Sequence, residues 1–506
     1  MTNKLYDTSL SLLTDLYQVT MAYGYWKSKT AEKEAVFNLY FRKNPFNGGF
    51  TIACGLANVI GYINHFGFSK KDLRYLRTLT GNDNKPLFEA AFLDYLADLK
   101  LTCSIEAIPE GTVVFPNEPL VRVRGPILQC QLLETPLLNL INFESLIATK
   151  AARLRLVAEK DILLEFGLRR AQGVDGGMTA SRAAYIGGCD ATSNVLAGKL
   201  HDIPVRGTHA HSWVMSFDDE QQAFDTYAQV LPNNVTLLVD TYDTLQGVRH
   251  AIETGRKLEQ QGHKLAAIRL DSGDLAYLSI EARKLLDEAG FQRTSIVASN
   301  DLDETIITSL KQQGAKIDIW GVGTKLVTAF DQPALGGVYK LAALQNETSE
   351  ETTDRRVTGH RATDRWSYKM KLSEQAIKIS TPGIQQVRRF QDERGFLADM
   401  IYNTEEMNEL GRPTTMIDPM DFTKRRRFDA NQQYEDLLVP IFLDGKCVYS
   451  LPDIHAVRAR VQTQLAGLHP GVKRFVNPHI YPVGLEKGLH ELKTELILKL
   501  REGASQ

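Results

Sequence analysis

Between residues 160 and 345 the chain repeats one pattern, in which a short apolar run ends in a polar or glycine-rich turn. Helical segments separate several of these runs. Short apolar runs without alternation are typical of strands buried on both faces of a parallel sheet. We therefore predict an α/β fold whose sheet closes as a TIM-like barrel. The seven strand candidates are residues 162–166, 203–206, 235–239, 265–269, 295–298, 317–320 and 338–341.

The first 150 residues mix helical and strand patterns, which indicates an α/β domain. Residues 12–26 have a helical pattern with Thr14 placed to cap it. Residues 35–42 alternate apolar and polar side chains, as a half-buried strand does. Residues 56–63 present one apolar helical face, and Gly67 is the expected C-cap.

The chain beyond residue 345 has a different composition. Residues 347–365 are rich in charge and threonine, which predicts a surface loop or linker. Further on, residues 438–442 predict a strand and residues 491–500 an amphipathic helix. We therefore expect three parts. These are an N-terminal α/β domain over residues 1–150, the TIM-like barrel over residues 151–345, and a C-terminal extension over residues 346–506 that packs on the N-terminal domain.

Composition and charge exclude several classes of protein. The 506 residues are 43% apolar and 24% charged with a formal net charge of −2, so nothing attracts the chain as a whole to nucleic acid or membranes. The one dense basic run, residues 424–427, is either a solvated loop or a nucleic-acid or targeting patch. Five scattered cysteines without a CxxC pair argue against disulfides and zinc modules. With no apolar stretch long enough to span a bilayer, we expect a cytoplasmic protein with neither nucleic-acid nor membrane partners.

Charged side chains stand where two of the buried strands end. Arg269 and Asp271 directly follow the run at 265–269, and Asp274 lies further along the same turn. Asp240 and Asp243 follow the run at 235–239. At the carboxyl end of a barrel strand such groups can meet a ligand that carries phosphates or a carboxylate, with a divalent cation. For any one of these aspartates the alternative is a solvated helix N-cap.

Two further strand ends carry candidate phosphate chemistry. Residues 321–324 read Gly-Val-Gly-Thr, whose backbone N–H groups and hydroxyl can cradle a phosphate, although a plain tight turn has the same pattern. His209 and His211 lie two residues apart, so an extended chain places both on one face. Metal ligation, a structural hydrogen bond and a role as phosphoryl acceptor or general base are all open for them.

Four motifs in order resemble those of the nicotinate phosphoribosyltransferase family. They are TDLYQ at residues 14–18, EFGLRRAQG at 165–173, GTHAHS at 207–212 and RLDSGD at 269–274. Their order and spacing fit from residue 12 to about residue 344, and the C-terminal part is similar to that of longer bacterial members.

The resemblance implies a reaction, a fold and an assembly. The family transfers the phosphoribosyl group of 5-phosphoribosyl 1-diphosphate to nicotinate, and nicotinate mononucleotide and diphosphate are formed for NAD salvage. ATP hydrolysis is coupled to this reaction through a phosphohistidine, and Mg²⁺ accompanies the diphosphate. The implied fold is an irregular α/β barrel plus an α/β domain, in a homodimer whose active sites lie at the subunit interface.

The resemblance also assigns roles to individual residues. His211 corresponds to the phosphorylated histidine, while His209 fills the variable position of that motif. We expect catalytic roles for His211, Arg269 and Asp271. Tyr17, from the neighbouring subunit, and Phe166 are expected to enclose the pyridine ring. The remaining contacts that the resemblance implies are Thr208 and Arg269 with nicotinate, Arg169, Gly321, Gly323 and Thr324 with phosphate, and Asp271 with the ribose or the metal. Asp240 and Ser272 are further expected substrate contacts, and no protein metal ligand is assigned.

Other functions remain as alternatives. Nicotinamide phosphoribosyltransferase shares the implied fold and mechanism, and quinolinate phosphoribosyltransferase fits the length and the AHS histidine less well. A non-catalytic metabolite-binding protein on the same scaffold is a third alternative. An aldolase-type or lyase barrel would need a buried reactive lysine, for which Lys325 is the one strand-end candidate.

Overall fold

The computed structural model describes residues 10–346, 365–375, 378–406 and 413–503. The chain divides into two compact units. The first comprises Met1–Leu146, Ala334–Asp453 and Ala459–Gln506, and the second comprises Ile147–Pro333 and Ile454–Arg458. The first unit thus contains most of the segments 1–150 and 346–506, and the second contains most of the segment 151–345.

The described residues include sixteen α-helices and twenty-one strands. The helices are α1 (Leu16–Lys27), α2 (Leu56–Asn64), α3 (Lys70–Thr78), α4 (Ala90–Asp98), α5 (Ile127–Leu132), α6 (Glu134–Ala158), α7 (Gly173–Gly187), α8 (Val195–His201), α9 (His211–Met215), α10 (Glu220–Val230), α11 (Thr244–Gln260), α12 (Leu275–Glu288), α13 (Glu304–Gln312), α14 (Thr324–Val327), α15 (Ile454–Gly467) and α16 (Lys487–Gly503). The strands are β1 (Glu34–Phe41), β2 (Thr51–Ile52), β3 (Ser104–Ala107), β4 (Val113–Val114), β5 (Val121–Pro126), β6 (Ile162–Glu165), β7 (Ala191–Thr192), β8 (Val235–Leu238), β9 (Leu265–Leu270), β10 (Ser295–Ser299), β11 (Ile319–Val322), β12 (Gly337–Gln345), β13 (Trp366–Tyr368), β14 (Gln385–Asp392), β15 (Gly395–Asn403), β16 (Thr414–Ile417), β17 (Arg425–Phe428), β18 (Tyr434–Asp436), β19 (Val439–Leu443), β20 (Lys446–Cys447) and β21 (Val483–Glu486).

The first unit is built mainly on antiparallel pairing, with β15 and β21 as a parallel pair. One sheet has the order β13-β12-β1-β5-β3-β19-β20, and a second has the order β17-β16-β21-β15-β14-β18. Residues 35, 37, 39 and 41 of β1 pack with α2 in the main core, as the alternation predicts. Asn38 and Tyr40 on the opposite face are buried as well, and Val36 on that face packs with Trp366 and Ile384. The half-buried strand of the sequence prediction is therefore buried on both faces.

Several local predictions for this unit are corrected. Helix α1 begins at Leu16 after an extended Asp15, so Thr14 is not its N-cap. Helix α2 ends at Asn64 with His65 as its C-cap, two residues before Gly67. The basic run belongs to the edge strand β17 rather than to a loop, and its arginine side chains are exposed. Charged edge strands resist pairing with other chains.

The C-terminal predictions are confirmed where the structure describes them. Strand β19 corresponds to the strand predicted at 438–442, and helix α16 contains the helix predicted at 491–500. Strand β19 pairs with β3, so the C-terminal segment contributes a strand to a sheet that also holds N-terminal strands. Residues 347–364 of the predicted linker lie outside the described residues.

The second unit contains a parallel sheet in the order β7-β6-β11-β10-β9-β8. Strands β6, β8, β9, β10 and β11 correspond to five of the seven predicted strands. The segment predicted at 203–206 forms a single parallel bridge, between Val205 and Thr192. The prediction for 338–341 is wrong for this sheet, because those residues lie in β12 and pair antiparallel with β1. Strand β12 is only partly buried, which suits an antiparallel sheet better than a parallel one.

The parallel sheet is open in its strand pairing. Within the described residues no ladder joins β8 to β7 or to the Val205 segment, so the structure has a mixed α/β fold with a partial barrel, and full closure stays a prediction. The carboxyl ends of β6, β8, β9, β10 and β11 share one edge because these strands are parallel. No helix in the described part of the chain combines the length and apolar character needed to cross a membrane.

Candidate functional site

Arg269 is the centre of a hydrogen-bonded group at the carboxyl edge of the parallel sheet. Its Nε donates to Ser299 Oγ at 2.9 Å, and its Nη1 donates to Thr208 Oγ1 at 2.9 Å. Its Nη2 lies 3.1 Å from Asp271 Oδ1. The guanidinium carbon also lies 5.7 Å from the centre of the Phe166 ring. Residues at the ends of β6, β9 and β10 and in the segment after Val205 are thereby brought to one place.

These contacts leave part of the guanidinium available. A guanidinium has five N–H donors, one on Nε and two on each terminal nitrogen. The contacts of Arg269 in the described residues use one N–H on each nitrogen. The Arg269 side chain is 15% exposed to solvent. One N–H on Nη1 and one on Nη2 therefore remain for a ligand, and a carboxylate could accept both.

Two aspartates link this group to His211. Asp240 Oδ2 accepts from the backbone N–H of Asp271 at 2.9 Å and from Ser272 Oγ at 2.6 Å. His211 Nε2 lies 3.8 Å from Asp271 Oδ2, and its Nδ1 lies 3.2 Å from Thr241 Oγ1. His211 is partly exposed, so a ligand can reach its ring.

The second histidine of the motif has a different environment. His209 is buried, and its Nε2 accepts a hydrogen bond from the backbone N–H of Leu238 at 3.2 Å. Its ring packs edge-on against Tyr227 with centroids 4.9 Å apart. Burial lowers the pKa of His209. Of the roles left open by the sequence, the geometry therefore gives His209 a structural hydrogen bond.

A buried carboxylate fixes the turn that follows β6. Glu165 Oε1 accepts from the backbone N–H of Gly167, and Glu165 Oε2 accepts from Ser181 Oγ at 2.9 Å and Thr192 Oγ1 at 2.5 Å. Both oxygens thus bind donors from three different segments. This arrangement holds the Phe166–Gly167 turn in a fixed position at the sheet edge.

Glycines of the 321–324 turn allow Phe166 to lie against β11. A Cβ atom on Gly321 would lie 2.7 Å from Cδ2 of the Phe166 ring. A Cβ atom on Gly323 would lie 3.2 Å from the Phe166 carbonyl oxygen. Only glycine permits this approach of the two turns without a shift, so Gly321 and Gly323 shape the site whether or not they bind phosphate.

The four strand-end aspartates separate into two pairs. Asp243 accepts from the backbone N–H of Gln246 at 2.8 Å and caps α11. Asp274 accepts from the backbone N–H groups of Ala276 and Tyr277, each at 3.1 Å, and caps α12. These two match the N-cap alternative, whereas Asp240 and Asp271 lie in the group around Arg269.

Three predicted site residues make no polar side-chain contact with that group in the described residues. Arg169 lies in the 3₁₀ turn Leu168–Arg170 and is exposed. Thr324 begins the short helix α14 directly after Gly323. Tyr17 belongs to the first unit, where its side chain on α1 is 47% exposed. Their roles stay predictions.

The structure adds three residues to the predicted site. Ser299 and Thr241 contact Arg269 and His211 directly, and Glu165 holds the adjacent turn. Ser299 and Thr241 lie in polar strand ends that the sequence pattern singles out. The sequence alone could not identify these two residues as part of the site, because hydroxyl side chains are common in turns. Glu165 stands at the end of a buried apolar run, where a lone carboxylate is a usable signal.

The environment of Lys325 tests the alternative of an aldolase-type or lyase barrel. Its Nζ donates to Asp303 Oδ2 at 2.5 Å, and this hydrogen bond raises the pKa of Lys325. A lysine that forms a Schiff base must instead lose its proton readily. The structure thus disfavours a lysine-dependent reaction at this edge of the sheet.

The carboxylates fit a divalent cation. Asp240 uses Oδ2 for its two hydrogen bonds, while Asp240 Oδ1 is buried and has no partner within the described residues. A buried carboxylate oxygen without a donor is costly unless it binds a ligand. Carboxylate oxygens are the ligands that Mg²⁺ prefers. Asp240 is therefore the residue of this group that best fits a magnesium ion.

Comparison with known proteins gives consistent matches along the chain. Residues 12–142 match the model of the nicotinate phosphoribosyltransferase N-terminal domain, residues 163–376 match the nicotinate phosphoribosyltransferase family model, and residues 384–493 match that of the C-terminal domain. The chain is 42% identical over 508 residues to a nicotinate phosphoribosyltransferase of Bacillus subtilis, with 98% of each chain covered.

More distant relatives show the same breadth. A nicotinate phosphoribosyltransferase of Dictyostelium discoideum is 39% identical over 537 residues, which cover 95% of this chain and 87% of the relative. The crystal structure of human nicotinic acid phosphoribosyltransferase superimposes with a TM-score of 0.80 at 32% identity. That match covers 96% of this chain and 99% of the human chain. The likeness therefore extends over both units.

Proposed function

The chain belongs to the nicotinate phosphoribosyltransferase family, a family of transferases, and we propose that it transfers phosphoribosyl from 5-phosphoribosyl 1-diphosphate to nicotinate. The products are nicotinate mononucleotide and diphosphate, and the reaction returns nicotinate to NAD. We further propose that ATP hydrolysis drives the transfer through a phosphohistidine at His211. The chain would act as a homodimer with shared active sites.

The observation that best supports this proposal is the hydrogen bonding of Arg269. Its guanidinium is held by three partners, yet it keeps one N–H on each terminal nitrogen. The carboxylate of nicotinate can accept both, whereas the amide of nicotinamide offers only one oxygen. The nearby Phe166 ring gives the pyridine ring an apolar surface to pack against. This geometry favours nicotinate over nicotinamide.

In the proposed reaction the protein mainly has to position the two substrates. The pyridine nitrogen attacks C1 of the ribose, the C1–N bond forms, and the bond from C1 to the diphosphate oxygen breaks with its electron pair going to the diphosphate. Arg269 and Phe166 would orient the pyridine, and the turn at 321–324 would bind the 5-phosphate through backbone N–H groups. Asp240 would hold Mg²⁺, which neutralises charge on the leaving diphosphate when bound.

His211 is placed to accept a phosphoryl group. The bond from the γ-phosphorus of ATP to its bridging oxygen would break as a ring nitrogen of His211 bonds to phosphorus, and water would later release phosphate. Thr241 and Asp271 flank the ring. A phosphoryl group there adds negative charge beside Asp271, whose backbone N–H donates to Asp240, so it would change how the site holds diphosphate and magnesium.

The shared site is supported by an exposed apolar stripe in the first unit. Leu16, Tyr17 and Met21 of α1, with Leu13 just before it, are large exposed apolar side chains. Within the helix, Tyr17 and Met21 lie four residues apart and so share one face, with Leu16 beside Tyr17. A contiguous apolar face of this kind is typical of a subunit interface, and it would carry Tyr17 to the neighbouring subunit.

A product assay tests the proposal. Purified protein is incubated with nicotinate, 5-phosphoribosyl 1-diphosphate and Mg²⁺, with and without ATP, and nicotinate mononucleotide is measured. We expect product, a stimulation by ATP, and much less product from nicotinamide. His211→Ala should remove the ATP stimulation and retain part of the ATP-independent transfer, since the oriented substrates remain.

The matched control is His263→Ala, because His263 lies in the turn before β9, at the opposite end of that strand from Arg269. That variant should respond to ATP as the parent protein does. Absence of product under all conditions would favour the metabolite-binding alternative. Equal product from nicotinamide would favour the nicotinamide enzyme, and intact ATP stimulation in His211→Ala would remove His211 from the coupling.

A further inference from the structure

The open edge of strand β8 bears a backbone donor that the strand ladder cannot satisfy. Val239 N–H donates to the carbonyl oxygen of Arg269 in β9. Because successive N–H groups of a strand point in opposite directions, the N–H of Leu238 points away from β9. Leu238 is 1% exposed, so water does not reach this group readily. A buried N–H of this kind needs a partner.

The partner is a side chain from the far edge of the same sheet. The chain around Val205 lies beside β7, where Arg206 N–H donates to the Thr192 carbonyl oxygen at 3.0 Å. It then continues to His209, whose Nε2 accepts from Leu238 N–H at 3.2 Å. The imidazole thus spans the interval between the first and last segments of the sheet, which no strand ladder closes in the described residues.

The direction of this hydrogen bond fixes the state of the ring. Nε2 can accept only while it carries a lone pair, so the proton of the neutral imidazole is on Nδ1. His209 Nδ1 lies 3.3 Å from the carbonyl oxygen of Ala210. Phe224 and Tyr227 of α10 face the ring, and Arg269 and His211 are the titratable side chains that act on it. Burial is the main cause that lowers the pKa of His209, which favours the neutral form.

The residues on either side of His209 are those of the candidate site. The Thr208 hydroxyl accepts from Arg269 and donates to the carbonyl oxygen of His209 at 3.1 Å. His211 contacts Thr241, three residues after Leu238. The two imidazoles therefore attach the 207–211 segment to the β8 side of the sheet at two successive points, one buried and one partly exposed.

We propose that His209 is a positioning residue that closes the sheet between residues 205–209 and β8, and so sets Thr208 and His211 relative to Arg269 and Asp271. The inference rests on the proposed function for its catalytic consequence, but the closure itself does not. A histidine at this position acts as a neutral acceptor with a fixed tautomer and does not take part in phosphoryl transfer.

Three variants distinguish the contribution of the His209 hydrogen-bond acceptor from that of its aromatic ring. His209→Phe keeps an aromatic ring against Tyr227 and removes the acceptor. His209→Gln places an oxygen as many bonds from Cα as Nε2 is, so it can still accept from Leu238. His209→Asn places its oxygen one bond short of that position, so it serves as a polar control without reach.

Hydrogen exchange read by mass spectrometry measures the closure directly. Peptides that cover residues 235–241 and 207–212 should exchange faster in His209→Phe and His209→Asn than in the parent protein, and at nearly parental rates in His209→Gln. In the transfer assay, the first two variants should lose about tenfold in kcat/KM for nicotinate, as expected for a lost buried hydrogen bond. The Gln variant should recover most of that loss.

Unchanged exchange in His209→Phe, or a Gln variant as impaired as the Phe variant, would overturn the proposal. The exchange measurement needs no substrate, so it stands even if no mononucleotide is formed. Failure of the reaction and failure of the closure are therefore distinguishable. A fold too damaged to compare would be visible as fast exchange in distant peptides, and the Gln and Asn pair then decides the question.

Discussion

At the scale of single residues, the orientation of Arg269 is set before a ligand arrives. Its three nitrogens each donate to an oxygen on a different segment, and Ser299, Thr208 and Asp271 thus fix the plane of the guanidinium. Holding a charged fork in advance lowers the ordering cost of binding and gives directional selectivity for a planar carboxylate. Ser299 also couples two of these groups, because its buried hydroxyl accepts from Arg269 Nε and donates to Asp271 Oδ1.

Ser299→Ala removes that bridge without adding volume. The Nε donor then faces no fixed acceptor, and Asp271 loses a donor at 2.5 Å. We expect kcat/KM for nicotinate to fall by roughly tenfold, mainly through KM, on the scale of a lost hydrogen bond to a charged group. Steady-state kinetics with nicotinate varied at saturating 5-phosphoribosyl 1-diphosphate measures the effect.

Ser295→Ala is the matched control, since Ser295 lies at the opposite end of the same strand β10. Its kinetic constants should equal those of the parent protein. If Ser299→Ala kept the parental KM, the Ser299 hydroxyl would have no part in holding Arg269 for its ligand.

At the scale of elements, the site depends on two turns that approach each other closely. Phe166 follows β6, and Gly321 lies in β11, which pairs with β6. A Cβ at Gly167 would lie 2.3 Å from Val327 Cγ1, so both turns lack room for larger residues. The glycines therefore set how near the Phe166 ring comes to Arg269.

Gly321→Ala should displace the Phe166 ring, because the new Cβ would lie 2.7 Å from one ring carbon. Overpacking of this kind costs about 1–3 kcal/mol. We expect KM for nicotinate to rise several-fold while the mutant remains folded. The comparison of KM with the thermal unfolding midpoint separates a local effect from general damage.

Gly67→Ala is a fitting control, because a Cβ there would meet no atom within 4 Å. It should leave both KM and the unfolding midpoint near parental values. An unchanged KM in Gly321→Ala would show that the position of the Phe166 ring does not affect nicotinate binding.

The same elements show what sequence could and could not predict. The apolar run that ends in charged residues at Arg269 indicated both β9 and the centre of the candidate site, because a strand buried on both faces rarely holds a charge without a partner. Strand β7 was missed because two residues give no periodicity. Strand β12 was assigned to the wrong sheet because a short apolar run does not indicate which strand it pairs with. His209 and Ser299 needed coordinates, since their roles depend on groups 29 and 30 residues away in the chain.

At the scale of the whole molecule, the proposed reaction draws on residues of both units. Tyr17 lies on an exposed apolar face of the first unit, and His211 lies in the second unit. If the homodimer shares its active sites as proposed, Tyr17 of one subunit serves the His211 of its partner. Each site then combines residues from two chains, and a defect in either residue can be supplied by the other chain.

Mixing two defective subunits tests this arrangement. Tyr17→Ala and His211→Ala proteins are each assayed for ATP-stimulated transfer, then unfolded together and refolded in equal amounts. Random pairing makes half of the dimers hybrid, and each hybrid has one intact site and one doubly defective site, so about a quarter of the parental ATP-stimulated activity should return. Tyr75→Ala replaces Tyr17→Ala in the control, because Tyr75 is an exposed tyrosine of the first unit outside the α1 stripe. That mixture should show about half of the parental ATP-stimulated activity, which is the average of its two components, because all chains supply Tyr17 and half of them supply His211. A Tyr17→Ala and His211→Ala mixture no more active than the average of its two components would place both residues in one chain's site and remove the shared-site proposal.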